Sequence, residues 1–182
     1  MMKRILLLSG AIGVGKSTIA QDLKSKHGYT SISSSGYLRS QLELQGLQPT
    51  RLNLQQFGDQ LDVDTDYSWI IDCVVVPVIS GTPDTTHWLL DAVRKHRQVE
   101  HFKSRFPGLV KHVHLTVSEH TLEVRFNSRV QPHVDSSYQD AVCHPNEQAA
   151  RSLIGLADLI VDTEHYSIEE ITQRIAAFCQ ER

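Results

Sequence analysis

A glycine-rich segment near the N-terminus has the residue types that are needed to hold a phosphate group. Residues 10–17 read GAIGVGKS, which matches the pattern G-x-x-x-x-G-K-S/T. Glycine lets the backbone aim several N–H groups at one phosphate, and a helix that starts here adds the positive end of its dipole. Lys16 would bridge the β and γ phosphates, and the Ser17 hydroxyl would hold Mg²⁺. The sequence therefore predicts a site for ATP and Mg²⁺. The predicted nucleotide-binding residues are Gly10, Ala11, Ile12, Gly13, Val14, Gly15, Lys16, Ser17 and Thr18.

Two charged residues, one at the end of the predicted strand 87–91 and one just after it, are candidates for the same site. Asp91 ends this predicted strand, where a carboxylate can hold a water molecule on Mg²⁺; the alternative is that it caps the next segment. Arg94 comes just beyond the strand. Because ligands bind outside the carboxyl ends of parallel strands, Arg94 is expected to face the ligand.

Three further arginines are candidates for contact with an anionic ligand. Arg39 lies near the start of a predicted helix, where its planar guanidinium suits a phosphate. Arg125 and Arg129 are four residues apart, so one helical face presents both to a single polyphosphate. For all three, the alternative is a solvent-exposed helix face.

The elements that must position these residues alternate along the chain. Apolar runs predict strands at 5–8, 29–33, 87–91, 112–117 and 158–161, and amphipathic patterns predict helices between them. This order is typical of an α/β fold with a parallel sheet covered on both faces. Residues 69–79 are interpreted as a helix that ends near Gly81, and the polar residues 131–145 as a loop. A glycine-rich turn without a ligand is the alternative for residues 10–17, but a strand before it and a helix after it favour the phosphate site.

Composition and charge exclude several classes of protein. The chain has 182 residues, 40% of them hydrophobic, and a net charge of -3, which predicts a single domain over 1–182 and argues against disorder. No apolar run reaches the ~20 residues of a membrane span, and the charge argues against general binding to nucleic acid or anionic lipid. Three dispersed cysteines predict no disulfide framework and a cytoplasmic location.

Two groups of possible metal ligands are interpreted as structural. The acidic segment at 62–66 resembles a calcium loop, but Tyr67 stands where such a loop needs glycine. His112 and His114 share one face of a predicted strand, and a core role is favoured over metal binding.

The chain resembles the P-loop nucleoside and nucleotide kinases, the group that includes adenylate kinase and dephospho-coenzyme A kinase. The resemblance is strongest at residues 10–17 and continues at Arg39 in GYLR, Arg94 in LDAVR, the pair Arg125 and Arg129, and the segment 157–162, which reads ADLIVD. It implies a three-layer P-loop NTPase fold with a five-stranded parallel sheet flanked by helices. It also implies a helical acceptor-binding insertion at about 36–80 and a lid at about 126–145.

The resemblance implies an ATP-dependent phosphotransferase with a small-molecule acceptor, either as a monomer or with a second copy or a partner protein. The implied roles are catalysis by Lys16, Arg94, Arg125 and Arg129, acceptor binding by Arg39 and Arg94, and metal binding by Ser17 and Asp91.

The residues after the second predicted strand depart from the pattern of hydroxyl kinases in this group. They read SSSGY at 33–37 and lack the Asp that orients an attacking alcohol. A phosphate oxygen is already ionised and needs only positioning, so a nucleoside monophosphate acceptor is favoured. Asp59 or Asp91 could serve as the base instead, so transfer to a hydroxyl of a nucleoside or of dephospho-coenzyme A stays an alternative. A further alternative is an ATP-binding sensor without efficient transfer.

Overall fold

Five strands form one parallel sheet in the computed structural model, which describes residues 3–128 and 137–181. The strand order is β2-β3-β1-β4-β5. The strands are β1 (Arg4–Gly10), β2 (Thr30–Ser31), β3 (His87–Leu90), β4 (Val110–Thr116) and β5 (Leu159–Asp162). The predicted five-stranded parallel sheet is confirmed, with β4 starting at Val110 rather than His112.

Helices connect the strands and cover both faces of the sheet, so the predicted three-layer α/β fold is also confirmed. They are α1 (Lys16–His27), α2 (Ser34–Leu44), α3 (Arg51–Asp64), a π-helix (Ile70–Val75), α4 (Val76–Gly81), α5 (His96–Arg105), α6 (Glu119–Asn127), α7 (Tyr138–Cys143), α8 (Pro145–Ser152), a 3-10 helix (Leu153–Leu156) and α9 (Ile168–Gln180). None of the helices in the described parts of the chain has the length and apolar character to cross a membrane.

Strand β1 is the centre of the fold and is buried along its whole length. Its side chains alternate between two cores, as the period of a strand requires. Leu6 and Leu8 pack with α1 and α9 on one face, and Ile5 and Leu7 pack with α5 and the π-helix on the other. Because β1 pairs with β3 on one side and β4 on the other, its carboxyl end is fixed from both directions.

Arg4 is a buried charged residue at the start of β1. Its guanidinium donates hydrogen bonds to the carbonyl oxygens of Gly108 (2.6 Å), Cys179 (2.8 Å) and Glu181 (2.7 Å). These bonds compensate for the loss of hydration that burial of a charge entails. They also join the first strand to the end of α9.

One predicted loop contains a helix. The polarity of residues 131–145 predicts a loop, but residues 138–143 form α7. Ser137 Oγ accepts from the Asp140 N–H (3.2 Å), and an Asp140 carboxylate oxygen accepts from the Ser137 N–H (3.0 Å). This reciprocal capping stabilises a short helix that overall polarity does not reveal.

Helices α2 to α4, with the π-helix, fill the stretch between β2 and β3. This is the position predicted for an acceptor-binding insertion at about 36–80. The helix predicted at 69–79 is present, although its first part is the π-helix. The lid predicted at about 126–145 is described only at its two ends, and Arg129 lies outside the described residues.

Candidate active site

Residues 10–17, called the phosphate loop below, connect the carboxyl end of β1 to the first turn of α1. Gly10, Gly13 and Gly15 have φ angles of 141°, 90° and 101°, a region that side chains with a Cβ rarely adopt. At Gly10 a Cβ would lie 2.6 Å from the carbonyl oxygen of Leu115 in β4. The loop therefore needs glycine both for its turn and for its close approach to β4.

The ammonium group of Lys16 lies close to the first carbonyl groups of the phosphate loop. Lys16 Nζ donates to the oxygens of Gly10 (2.6 Å) and Ala11 (2.9 Å). Ser17 and Thr18 are exposed in the first turn of α1, and that turn contains no acidic residue. The positive end of the helix dipole is therefore not compensated by a carboxylate of its own turn, which suits an anionic ligand.

A cavity of about 530 Å³ opens beside the phosphate loop, a size typical of small-ligand sites. Its wall is formed by Gly10, Ile12, Gly13, Gly15, Lys16, Ser17, Arg51, Gln55, Asp91, Val93, Arg94, Phe126, Asp140, Ala141, His144, Asn146, Glu147 and Ala150. The structure thus brings the predicted residues Asp91 and Arg94 to the same cavity as Lys16 and Ser17.

Ser17 and Asp91 suit Mg²⁺ by the chemistry of their donor atoms. Both offer oxygen, the donor that Mg²⁺ prefers, and both line this cavity. Asp91 follows β3, which pairs directly with β1, and this pairing places its carboxylate near the phosphate loop.

Two of the arginines predicted for the site do not line this cavity. Arg39 is exposed on α2 and does not line the cavity. Arg125 lies against the loop from another side: its Nη1 donates to the Val14 oxygen (3.4 Å) and its Nη2 to the Thr163 oxygen (3.4 Å). Arg125 therefore connects the phosphate loop to the segment after β5, and its predicted catalytic role and the acceptor role of Arg39 stay predictions.

The cavity contains an arginine that sequence reasoning missed. Arg51 begins α3, and Gln55, one turn later, lines the cavity with it. The sequence feature that indicates the start of α3 is Thr50, a good helix-capping residue, whose hydroxyl accepts a hydrogen bond from the Asn53 N–H (3.2 Å). This cap sets where α3 begins and so which side chains its first turns present to the cavity.

A second missed residue, Glu147 of α8, contacts the phosphate loop directly. Its Oε1 accepts from the Ile12 N–H (2.9 Å) and from Nε of Arg151 (2.9 Å). Nothing in the spacing of the sequence connects Glu147 to a loop that lies 135 residues earlier. The contact arises because α8 returns to the carboxyl end of β1.

Buried polar side chains support the loop from beneath. Ser9, which precedes the loop, has its hydroxyl 2.7 Å from Nε2 of His112 and 2.8 Å from Nδ1 of His114. Burial, with smaller effects of His112 and Lys16, lowers the pKa of His114 to about 4; burial also lowers the pKa of His112. The interpretation of both histidines as core residues agrees with their burial.

Comparison with known proteins places the chain in a family. The model of a family described as "AAA domain" matches residues 6–151. No curated protein sequence matches the chain significantly.

Several solved structures share the fold at low sequence identity. A shikimate kinase from Bacteroides thetaiotaomicron is 16% identical, with a TM-score of 0.56 over 98% of this chain and 99% of that one. A sugar kinase from a Janibacter species is 16% identical, with a TM-score of 0.55 over 96% and 93%. A tunicamycin resistance protein from Deinococcus radiodurans is 18% identical, with a TM-score of 0.57 over 99% and 97%. The predicted resemblance is thus confirmed at the level of family and fold: the chain belongs to this AAA-domain family and has the P-loop kinase fold.

Proposed function

We propose that the protein is an ATP-dependent phosphotransferase that transfers the γ-phosphate to a hydroxyl group of a small acceptor bearing an anionic group. The observation that carries the proposal is the cavity itself. It joins a phosphate loop with Lys16 and Ser17 to Asp91, and it places two arginines, Arg51 and Arg94, outside the loop.

Within this site the loop amides and Lys16 would hold the phosphates of ATP. Ser17 and Asp91 would hold Mg²⁺, which when bound neutralises charge on the β and γ phosphates. Lys16 Nζ donates to the carbonyl oxygens of Gly10 and Ala11 at the start of the loop, and with ATP bound its ammonium would stabilise negative charge on the transferring group.

The carboxylates in the cavity favour a hydroxyl acceptor. Asp91, Asp140 and Glu147 all line it; each carboxylate has several lone pairs, so it can accept a hydrogen bond from an acceptor hydroxyl besides the contacts that it already makes. Arg39, on which the prediction of a phosphate acceptor partly rested, does not line the cavity. The fold is also that of a shikimate kinase and a sugar kinase.

Arg51 and Arg94 would bind the anionic group of the acceptor. A guanidinium offers paired donors that match a carboxylate or phosphate group. These two arginines are also the observation that supports the second candidate, transfer to a nucleoside monophosphate.

The test is ADP release with ATP and Mg²⁺ against three panels: sugars and hydroxy acids, nucleoside monophosphates, and nucleosides with dephospho-coenzyme A. Stimulation by one member of the first panel, lost in Lys16→Met, supports the proposal. Stimulation by a nucleoside monophosphate alone establishes the second candidate. If ATP binds but no acceptor stimulates ADP release, the result contradicts transfer and supports a nucleotide sensor.

A further inference from the structure

Glu147 places a carboxylate against the phosphate loop. Its side chain is 13% exposed, and Oε1 accepts the hydrogen bond from the Ile12 N–H at 2.9 Å. An amide in such a loop is a donor for an anion or for water. In this structure a side chain of the protein itself, with a negative charge, uses that donor.

The contact lies at the end of the loop where the γ-phosphate is expected. In this motif the lysine reaches the β and γ phosphates, and here Lys16 Nζ lies on the oxygens of Gly10 and Ala11. Ile12 is the next residue along the loop. Glu147 therefore contacts the loop residue that follows the two carbonyl groups held by Lys16, the cation expected to meet the γ-phosphate that ATP has and ADP lacks.

A network of side chains fixes Glu147 in this place. Arg151, one turn later on α8, donates from Nε to Glu147 Oε1 (2.9 Å) and from Nη1 to Glu119 Oε2 (2.8 Å). Its Nη2 also donates to the hydroxyl of Tyr138 (3.2 Å). One arginine thus pairs with two carboxylates, which leaves a net charge of -1 in this cluster beside the loop.

We infer that Glu147 is a specificity-determining residue that weakens the binding of a nucleoside triphosphate relative to the diphosphate. The inference rests on the proposed function, because it takes the loop to bind the phosphates of ATP. Repulsion between Glu147 and the γ-phosphate raises the free energy of bound ATP. It is relieved when the phosphoryl group moves to the acceptor, so the residue favours transfer over tight storage of ATP.

Isothermal titration calorimetry with Mg²⁺ tests the inference, with ADP and the β,γ-imido analogue of ATP as ligands. Glu147→Gln removes the charge and keeps an oxygen that can accept from the Ile12 N–H. We expect it to bind the ATP analogue about tenfold more tightly and ADP within about twofold of the wild type.

Arg151→Gln provides a change of opposite sign. It removes the cation that compensates Glu147, so we expect affinity for the ATP analogue to fall about fivefold while affinity for ADP changes little. Glu123→Gln is the matched control, since it removes the same charge from an exposed position on α6. It should leave the ratio of the two affinities unchanged.

A purely structural role would change the affinity for both nucleotides together. The inference is overturned if Glu147→Gln leaves the ratio of affinities at the wild-type value or shifts it toward ADP. If thermal melting shows that Glu147→Gln does not fold, the direction of the Arg151→Gln shift decides. Wild-type protein that binds neither nucleotide would overturn the proposed function, and this inference with it.

Discussion

The indole Nε1 of Trp69 donates a 2.7 Å hydrogen bond to Oδ1 of Asp62. Both side chains are buried, at 4% and 8% exposure, and Asp62 is also 3.4 Å from the amide nitrogen of Gln98 in α5. Burial raises the pKa of Asp62, against the opposing effect of these hydrogen bonds. The Trp69 bond thus joins α3, which carries Arg51, to the segment before the π-helix, and the Gln98 contact joins it to α5.

Replacing this carboxylate should destabilise the fold. Asp62→Ala leaves the buried N–H of Trp69 without its acceptor, which costs about 1–3 kcal/mol. Urea unfolding measures the loss. Asp59→Ala, an exposed position one turn earlier on α3, should change the free energy of unfolding by less than about 0.5 kcal/mol. Equal effects of the two substitutions would contradict the role given to Asp62.

Two glycine substitutions should have opposite effects. Gly10→Ala brings a Cβ to 2.6 Å from the Leu115 oxygen at a φ of 141°, so we expect a loss of about 2 kcal/mol or more and weakened nucleotide binding. Gly36 lies in the first turn of α2, and among the described residues no atom outside its chain neighbours and the nearby backbone of its own helix comes within 4 Å of the position that a Cβ would take. Gly36→Ala should therefore stabilise the protein by about 0.5–1 kcal/mol. Thermal and urea unfolding of both variants check the signs.

Stability should fall as the solution becomes acidic, because His114 stays neutral in the folded protein. Its pKa is about 4 when folded against 6.5 as the ordinary value. Between these values the unfolded chain binds a proton that the folded protein does not, so unfolding is favoured as the pH falls. One such group contributes a slope of about 1.4 kcal/mol per pH unit, and His112 acts in the same direction.

The free energy of unfolding, measured at several pH values between 7.5 and 4.5, tests this dependence. His114→Asn should reduce the slope, while His120→Asn, at an exposed position on α6, should leave it as in the wild type. A slope that His114→Asn does not alter would show that other groups cause the acid sensitivity.

Asp91 should set the requirement for Mg²⁺. Asp91→Asn keeps the shape of the side chain and removes the charge that would hold the ion. We expect ADP release to need about tenfold more Mg²⁺ for half-maximal rate. Titration of Mg²⁺ at saturating ATP measures the change, and an unaltered midpoint would assign Asp91 a structural role.

The parts of the fold that local patterns determine could be predicted from the sequence. The apolar run at 5–8 and the glycines of residues 10–17 carry their conformational reasons within a few residues, and the parallel sheet follows from the alternation of strands and helices. The core role of His112 and His114 followed from the period of a strand. Asp91 and Arg94 were predictable because they directly follow a strand that ends at the site.

The remaining residues of the site depend on how distant elements pack. Arg51 begins α3, whereas Arg39, predicted near a helix start, is the sixth residue of α2. The sequence does not show which of these two helices presents its arginine to the cavity, because that depends on how they pack. Glu147 reaches the loop because α8 folds back onto β1, which no local pattern records. The helix α7 was missed because its stability comes from the Ser137 and Asp140 cap rather than from apolar spacing.

The order of the strands has a consequence for how the protein is made. β1 leaves the ribosome before the other four strands of the sheet, and its partners β3 and β4 are synthesised much later. Contacts between residues far apart in sequence form slowly, because the entropy of closing a long loop is lost before the pairing compensates for it. We therefore expect the phosphate loop to be synthesised well before the strands that fix it, and to be among the last segments to take its final shape. Any fragment that ends before β3 should be unable to bind nucleotide, although it contains the whole motif.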